Sequence, residues 1–410
     1  MHYIFLFVLL LSLVGCSTRH VYDQRTKTNI ANEIVNFIPF DEPQVIIYEQ
    51  NKKPKIALNT DAVKSKIKTK IKNKIQREIT KAQIEYEKRV ISFVKKAIPY
   101  WGEKPVVASR YNFVQYSKDF KARTIINFEN GVIKVETTDT RSPLRTLKEV
   151  ITSTLLSPQN PEDIDLFSTR NKVHVGEPFL LERVRDHDGK PIRWQWRANR
   201  YAQYLIDTGL KKDRVKTTSG YKTNYYVTFK MKQDTYSTNS DLNYASIVHE
   251  QAKRFNLDPA LIFALIETES HFNPYATSAI PAYGLMQVVP NSAGRDAWKF
   301  LKKTDGKPTK NYLFNARNNI EMGSAYMHIL QNRYLVKVKN PKNRELCSIA
   351  AYNTGSGNVL RSFHKDRDVA VTRINRLSPD SLYNHLRKNL PDKETRDYMK
   401  KVTTAKKRYL

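Results

Sequence analysis

Thiols are almost absent from this chain of 410 residues: Cys16 and Cys347 are its two cysteines. That excludes a disulfide framework and any zinc site built on paired thiolates. The nine histidines are scattered with no His-x-x-x-His pair, so the sequence shows no metal constellation and calls for no cofactor. No apolar run is long enough for an ordinary spanning helix of about 20 residues. Internal repeats are missing too. Acidic residues are outnumbered, 40 Asp and Glu against 70 Lys and Arg, for a formal net charge of +30. Such a surplus points to a negatively charged partner: nucleic acid, anionic lipid head groups or an acidic polymer. What is present is apolar material for real cores, 40% hydrophobic and 11% aromatic residues, which excludes a wholly disordered chain. The length predicts two or three domains.

The longest apolar run, HYIFLFVLLLSLV at 2–14, matches the apolar core of a secretory signal. Leu13-Val14-Gly15-Cys16 after it resembles the bacterial lipobox, in which the cysteine is lipidated and becomes the first residue of the mature chain. A plain signal peptide with an incidental cysteine is the alternative. The resemblance implies a signal peptide over 1–15 and a lipidated N-terminus and tether over 16–60. Ser17 stands where an Asp would signal inner-membrane retention, which implies an outer-membrane lipoprotein facing the periplasm. Export argues against nucleic acid as the partner. Cys347 is expected to be a lone buried thiol.

Residues 61–98 form a Lys-rich segment. Val63, Ile67, Ile71, Ile75 and Ile79 recur every four residues, with lysines filling the gaps. This predicts an amphipathic helix. It contacts an anionic surface, or it packs on the domain through its Ile stripe with a solvated Lys face. Residues 99–235 predict an α+β domain. Ile125 to Val135 reads as a hairpin around Asn130-Gly131. A helix is expected over 143–157 and another near 198–206, with strand-like runs near 179–184 and 225–231. From 236 to 410 the pattern is all-α, with helices expected over 242–255, 259–272, 318–333, 345–352 and 379–389.

One of these helices carries chemistry. Asp258-Pro259 is a helix start, with Asp at the N-cap and Pro in the first turn. At about 100° per residue, Leu261, Ile262, Leu265, Ile266 and Phe272 fall within about 140° of one another. Glu269 lies near the middle of that face, and Glu267 toward the opposite side. Glu267 should therefore be solvated or paired, and Glu269 should face the interior or the floor of a cleft. A carboxylate in an apolar setting is costly to ionise, and one that stays protonated near neutral pH can serve as a general acid. A buried Glu in a structural salt bridge has the same signature.

Four segments stand in order around this helix: ETESHFNPYATS at Glu267, GLMQVVP at Gly284, AYNTGSGNV at Ala351 and ETRDYMKKV at Glu394. Together they resemble the soluble-lytic-transglycosylase family, with its goose-lysozyme-like catalytic domain. Residues 176–205, GEPFLLERVRDHDGKPIRWQWRANRYAQYL, resemble the domain that precedes the catalytic unit in membrane-bound lytic murein transglycosylase C. The resemblance implies a peptidoglycan lytic transglycosylase. It would cleave the β-1,4 bond between N-acetylmuramic acid and N-acetylglucosamine without water, leaving 1,6-anhydro ends in cell-wall turnover. It implies Glu269 as the single acid/base. Ser270 and Gln287 would hydrogen-bond the substrate, with helix-end and loop capping as the alternative. Met286 would line the sugar site or pack in the core. Tyr352 and Asn353 would bind sugar. Tyr398 would tune the proton of Glu269, or be a buried tyrosine with a satisfied hydroxyl. Glu394 would orient its neighbours. The implied partners are peptidoglycan glycan strands, and outer-membrane lipid through Cys16. A hydrolytic muramidase on the same fold and a non-catalytic peptidoglycan-binding lipoprotein are the competing readings.

Overall fold

Period-two alternation after residue 110 builds a five-stranded antiparallel sheet. The structure, a computed structural model, describes residues 81, 83–158, 177–232, 244–278 and 280–410. Cys16 and the apolar stripe from Val63 to Ile79 lie outside the described residues. Residues 83–325 and 403–410 belong to one compact unit, and 326–402 to a second.

The first unit begins with helix α1 over 83–101. Strands β1 (Asn112–Tyr116), β2 (Ala122–Asn127) and β3 (Val132–Thr137) follow as a meander. The turn between β2 and β3 falls at Asn130-Gly131, as the sequence predicts, with Gly131 at φ 66°. Helices α2 (Pro143–Leu155) and α3 (Gln195–Gly209) come next, then β4 (Lys211–Thr217) and β5 (Gly220–Lys230). The sheet order is β1-β2-β3-β5-β4. Side chains alternate across a strand, so Ile126, Ile133, Val135, Val227 and Phe229 meet α2 and α3 on one face. On the other face, Phe93 of α1 packs edge-on against Tyr116 with ring centroids 5.0 Å apart. Helix α1 is continuous across residue 98, and Phe93, Val94, Ala97 and Trp101 all join the core.

A buried ion pair lies on this face. Arg123 donates to Glu136 at 2.7 Å, and its guanidinium sits 3.8 Å from the centroid of Trp101. Burial alone would raise Glu136, but the charges of Arg123 and Lys134 outweigh it and hold the carboxyl below its ordinary range. A depressed carboxylate stabilises the fold above its unfolded pKa. That contribution is lost as pH falls through the lowered value.

One expectation is corrected and one element is new. Residues 179–184 form no strand. They run as reverse turns closed by bonds such as Arg183 N to Leu180 O, which bury Leu180, Leu181 and Val184 together. Strand β4 was not anticipated, because an edge strand reading KKDRVKT exposes most of its side chains and shows no apolar alternation.

The rest is helical, as expected. The elements are α4 (Ala245–Phe255), α5 (Pro259–Ser270), α6 (Ala293–Lys302), α7 (Lys310–Phe314) and α8 (Ala316–Ile329), the last running into a π-helical turn at Leu330–Tyr334. Then come α9 (Pro341–Thr354), α10 (Ser356–Arg361), α11 (Arg367–Asn375), α12 (Pro379–Asn389) and α13 (Lys393–Lys406). Helix α9 packs on α10 and α12. Helices α6, α7, α10, α11 and α13 fall where the sequence analysis placed none. The architecture is an α+β region followed by an all-α region. No described helix is long and apolar enough to cross a membrane.

Gly102 ends α1 at φ 55°, and a Cβ there would lie 1.8 Å from the carbonyl oxygen of Lys216 on β4. Gly102→Ala therefore combines left-handed strain with a backbone clash. It should cost about 2–4 kcal/mol, read as a fall in Tm in a thermal melt.

Candidate active site

Helix α5 starts as its sequence dictates. Asp258 caps it, its carboxylate accepting from Ala260 N at 2.9 Å, and Pro259 fills the first turn. The wheel arithmetic then fails in one respect. It assumes a solvent face, and α5 has none: every residue from Ala260 to Ser270 is buried. Glu269 is 5% exposed and Glu267 is 8% exposed.

Glu267 meets its expectation through the paired alternative. Its carboxylate accepts from Arg408 and, at 2.8 Å, from the hydroxyl of Tyr409. The Tyr409 ring stacks on Phe263 of the same helix, with centroids 5.2 Å apart. Lys406 pairs with the capping residue Asp258 at 2.8 Å. Residues 406–409 thus grip α5 at both ends. Sequence reasoning missed this clasp, because the partners stand some 140 positions apart.

The end of α5 is equally held. His271 and Phe272 both take left-handed backbone, at φ 49° and 62°. Such conformations cost non-glycine residues of order 1 kcal/mol or more and persist where surroundings enforce them. Here Tyr111 lies edge-on to His271 at 4.7 Å and donates to Thr268 O at 3.2 Å. Arg183 donates to Phe272 O at 3.3 Å, and Asn273 donates to Arg110 O at 3.0 Å. Tyr275, fully buried, packs on Phe113, Phe179 and Phe314. The sheet region therefore anchors the segment that follows Glu269.

The loop carrying Gln287 is tied to the same helix. Ser270 donates to Leu285 O at 2.8 Å and to Ile266 O at 3.0 Å. Its side chain is wholly buried and its hydroxyl joins helix end to loop, the capping arrangement that the sequence left open beside a substrate contact. Met286 is likewise fully buried and packs against Gly323. Asn319, which the sequence did not single out, closes the loop. Its Oδ1 accepts from Met286 N at 2.8 Å, and its Nδ2 donates to the carbonyls of Tyr283 and Leu313, each at 2.7 Å. Gly284, at φ 76°, admits this amide, for a Cβ there would lie 2.3 Å from Asn319 Nδ2.

Gln287 adopts left-handed backbone at φ 47°. Its amide nitrogen donates to Ala276 O at 3.1 Å and Gly284 O at 3.0 Å. That fixes the opposite atom, Oε1, as an acceptor. Oε1 is buried and finds no hydrogen-bond partner among the described residues. A buried orphan acceptor costs about 1–3 kcal/mol unless a ligand supplies the donor.

The second unit holds the remaining expected residues. Tyr352 is buried on α9 with its ring 5.6 Å from Tyr326. Asn353 Oδ1 accepts from Thr395 Oγ1 at 2.7 Å. Gly355, at φ 84°, turns the chain from α9 into α10, whereas Gly357 lies inside α10. Tyr398 is buried on α13. Glu394 is exposed in the first turn of that helix, and Thr395 supplies the bond to Asn353. Cys347 is a free buried thiol whose pKa burial pushes up to about 12, so it stays protonated and inert.

Two family profiles match the chain. One, described as the membrane-bound lytic murein transglycosylase C N-terminal domain, covers residues 69–241, and the transglycosylase SLT domain covers 246–374. A membrane-bound lytic murein transglycosylase C from Serratia proteamaculans is 41% identical over 311 residues, 75% of this chain and 85% of the relative. One from Yersinia pestis is 40% identical over the same shares. Among solved structures, an inactive variant of lytic transglycosylase Slt from Pseudomonas aeruginosa aligns over 40% of this chain and 23% of its own. The identity is 25% and the TM-score 0.32.

Removing Arg408 leaves a buried Glu267 with part of its compensation. Arg408→Ala should cost about 1–3 kcal/mol, and the loss should shrink in the Glu267→Gln background. A double-mutant cycle by chemical denaturation measures that coupling. Additive losses would mean the pair contributes nothing.

Proposed function

The chain belongs to the membrane-bound lytic murein transglycosylase C family and is a lytic transglycosylase of the cell wall, and we propose that Glu269 is its single acid/base. The observation that carries this reading is a buried carboxylate in the last turn of α5 together with the buried, unsatisfied acceptor of Gln287 on the loop tied to that helix. The two are linked through Ser270, which neighbours Glu269 and bonds to the loop two residues before Gln287.

The reaction needs one proton carrier. Glu269 gives its proton to the glycosidic oxygen as the bond from C1 of N-acetylmuramic acid to N-acetylglucosamine breaks. The substrate's own 2-acetamido group stabilises the cation left at C1. The carboxylate then takes the proton of the C6 hydroxyl as O6 bonds to C1, which closes the 1,6-anhydro ring. An ordinary glycosidase uses a second carboxylate for the nucleophile or for water. Here Glu267, the other carboxylate of α5, is bound to Arg408 and Tyr409. Gln287 Oε1 suits an N–H or O–H donor of the sugar, such as the acetamido N–H. Tyr352 and Asn353 are the proposed sugar-binding residues of the second unit, with Thr395 orienting the Asn353 amide. Ser270, Met286 and Asn319 hold the loop. Glu394 stands among the supporting residues.

Glu269→Gln should abolish anhydro-product formation from purified sacculi while leaving the thermal melt within a few degrees. Mass spectrometry of released fragments reads the result directly. Products lighter by one water than hydrolytic ones identify the transglycosylase, and full reducing ends would instead mean a muramidase. Anhydro products from the variant would remove Glu269 from its role.

For the membrane, we propose a lipid anchor on Cys16 that holds the enzyme at the outer membrane, facing the periplasm. The lipobox-like Leu13 to Cys16 supports it, as does the membrane-bound character of the family. Cys16→Ser should move the protein from the membrane to the soluble fraction and end incorporation of labelled acyl chains.

A further inference from the structure

The chain has four tryptophans, and two of them, Trp194 and Trp196, are 61% and 56% exposed. An indole left in water forgoes the burial that usually holds large aromatics in a core. Both stand where α3 begins, Trp194 at its N-cap and Trp196 in its first turn. The helix buries its opposite side, with Ala198, Tyr201, Ala202, Leu205 and Ile206 facing the core. Its exposed side runs from Trp196 through Arg200 and Gln203 to Tyr204. At 1.5 Å per residue that stripe is about 12 Å long.

The rings are held in place. Arg197 lies over one face of Trp196, 4.6 Å from its centroid. His187 stacks on Tyr204 with centroids 4.4 Å apart and planes 13° from parallel. The arginines of the patch are committed to carboxylates: Arg193 to Glu177, Arg197 to Asp186 and Arg200 to Asp188.

We infer that this face of α3 is a second glycan-binding site, distinct from the one that carries Glu269, and that it takes the sugar rings of a peptidoglycan strand. The inference rests on the cell-wall substrate of the family. A pyranose ring presents an apolar face of C–H groups and a rim of hydroxyl and acetamido groups. The negative face of an indole or phenol attracts the C–H face. Gln203 and the nearby carboxylates and guanidinium groups match the rim in donors and acceptors. An anionic lipid surface would call for unpaired cations, whereas here each arginine already has its counter-charge. The patch would hold a strand independently of cleavage, so its loss should weaken capture and leave the chemistry intact.

The test uses the full chain. Trp194→Ala/Trp196→Ala is compared with the parent protein, and with Trp194→Tyr/Trp196→Tyr, which keeps an aromatic face. Binding to peptide-free glycan strands and to whole sacculi is measured in a Glu269→Gln background, where the glycan is not consumed. Turnover of sacculi and of a short soluble muropeptide is measured with Glu269 present. We expect the alanine pair to bind strands about tenfold more weakly, with KM for sacculi raised, kcat and short-substrate turnover kept, and the tyrosine pair largely restoring affinity. Equal strand affinity in all three proteins overturns the site. So does a loss confined to vesicles of phosphatidylethanolamine and phosphatidylglycerol, which would make the patch a lipid contact. Failure of the parent protein to form anhydro ends would count against the transglycosylase reaction alone, because strand binding through the tryptophans is scored separately.

Discussion

A helix with no face toward water, carrying two carboxylates in its last turn, is the constraint around which the first unit is built. Ionised groups cannot be left in such a place without compensation, since desolvation of a lone charge outweighs most other contributions to folding. Glu267 is compensated by Arg408 and Tyr409, drawn from the far end of the chain. Glu269, the other carboxylate of that turn, is the group we propose as the proton carrier.

Holding that helix requires material outside the helical region. The sheet region contributes Tyr111, Arg110 and Arg183 to the backbone just past Glu269, and its aromatic core takes in Tyr275. Two consecutive left-handed residues are tolerated there because hydrogen bonds and ring contacts over-determine them. The N-terminal domain is thus part of the scaffold that positions Glu269. Within that domain Arg123 pairs with Glu136 and lies over the ring of Trp101 from α1.

The Gln287 loop is shaped by bonds from within the same unit. Asn319, Ser270 and Gly284 satisfy the loop's backbone and shape it. Gln287 spends its donors on the loop and keeps its acceptor, so the group offered to a ligand has a fixed polarity. The exposed tryptophans of α3 offer the complementary kind of contact, broad and tolerant, suited to a polymer whose rings repeat.

Much of this was legible in the chain itself. Alternation and the Asn-Gly turn foretold the β2–β3 hairpin. Asp258-Pro259 marked the start of α5, and the segments around Glu269, Gly284, Ala351 and Glu394 pointed to a transglycosylase. These signals are local, set by backbone propensity and by residues a few positions apart. Other features were decided by the fold alone. The full burial of α5, the clasp from Arg408 and Tyr409, the bond from Thr395 to Asn353 and the amide of Asn319 all join residues distant in sequence. So do the bond from Ser270 to Leu285 and the contact of Met286 with Gly323. A helical wheel assigns a direction to each side chain but not what occupies that direction, and only packing in three dimensions brings the distant partner there.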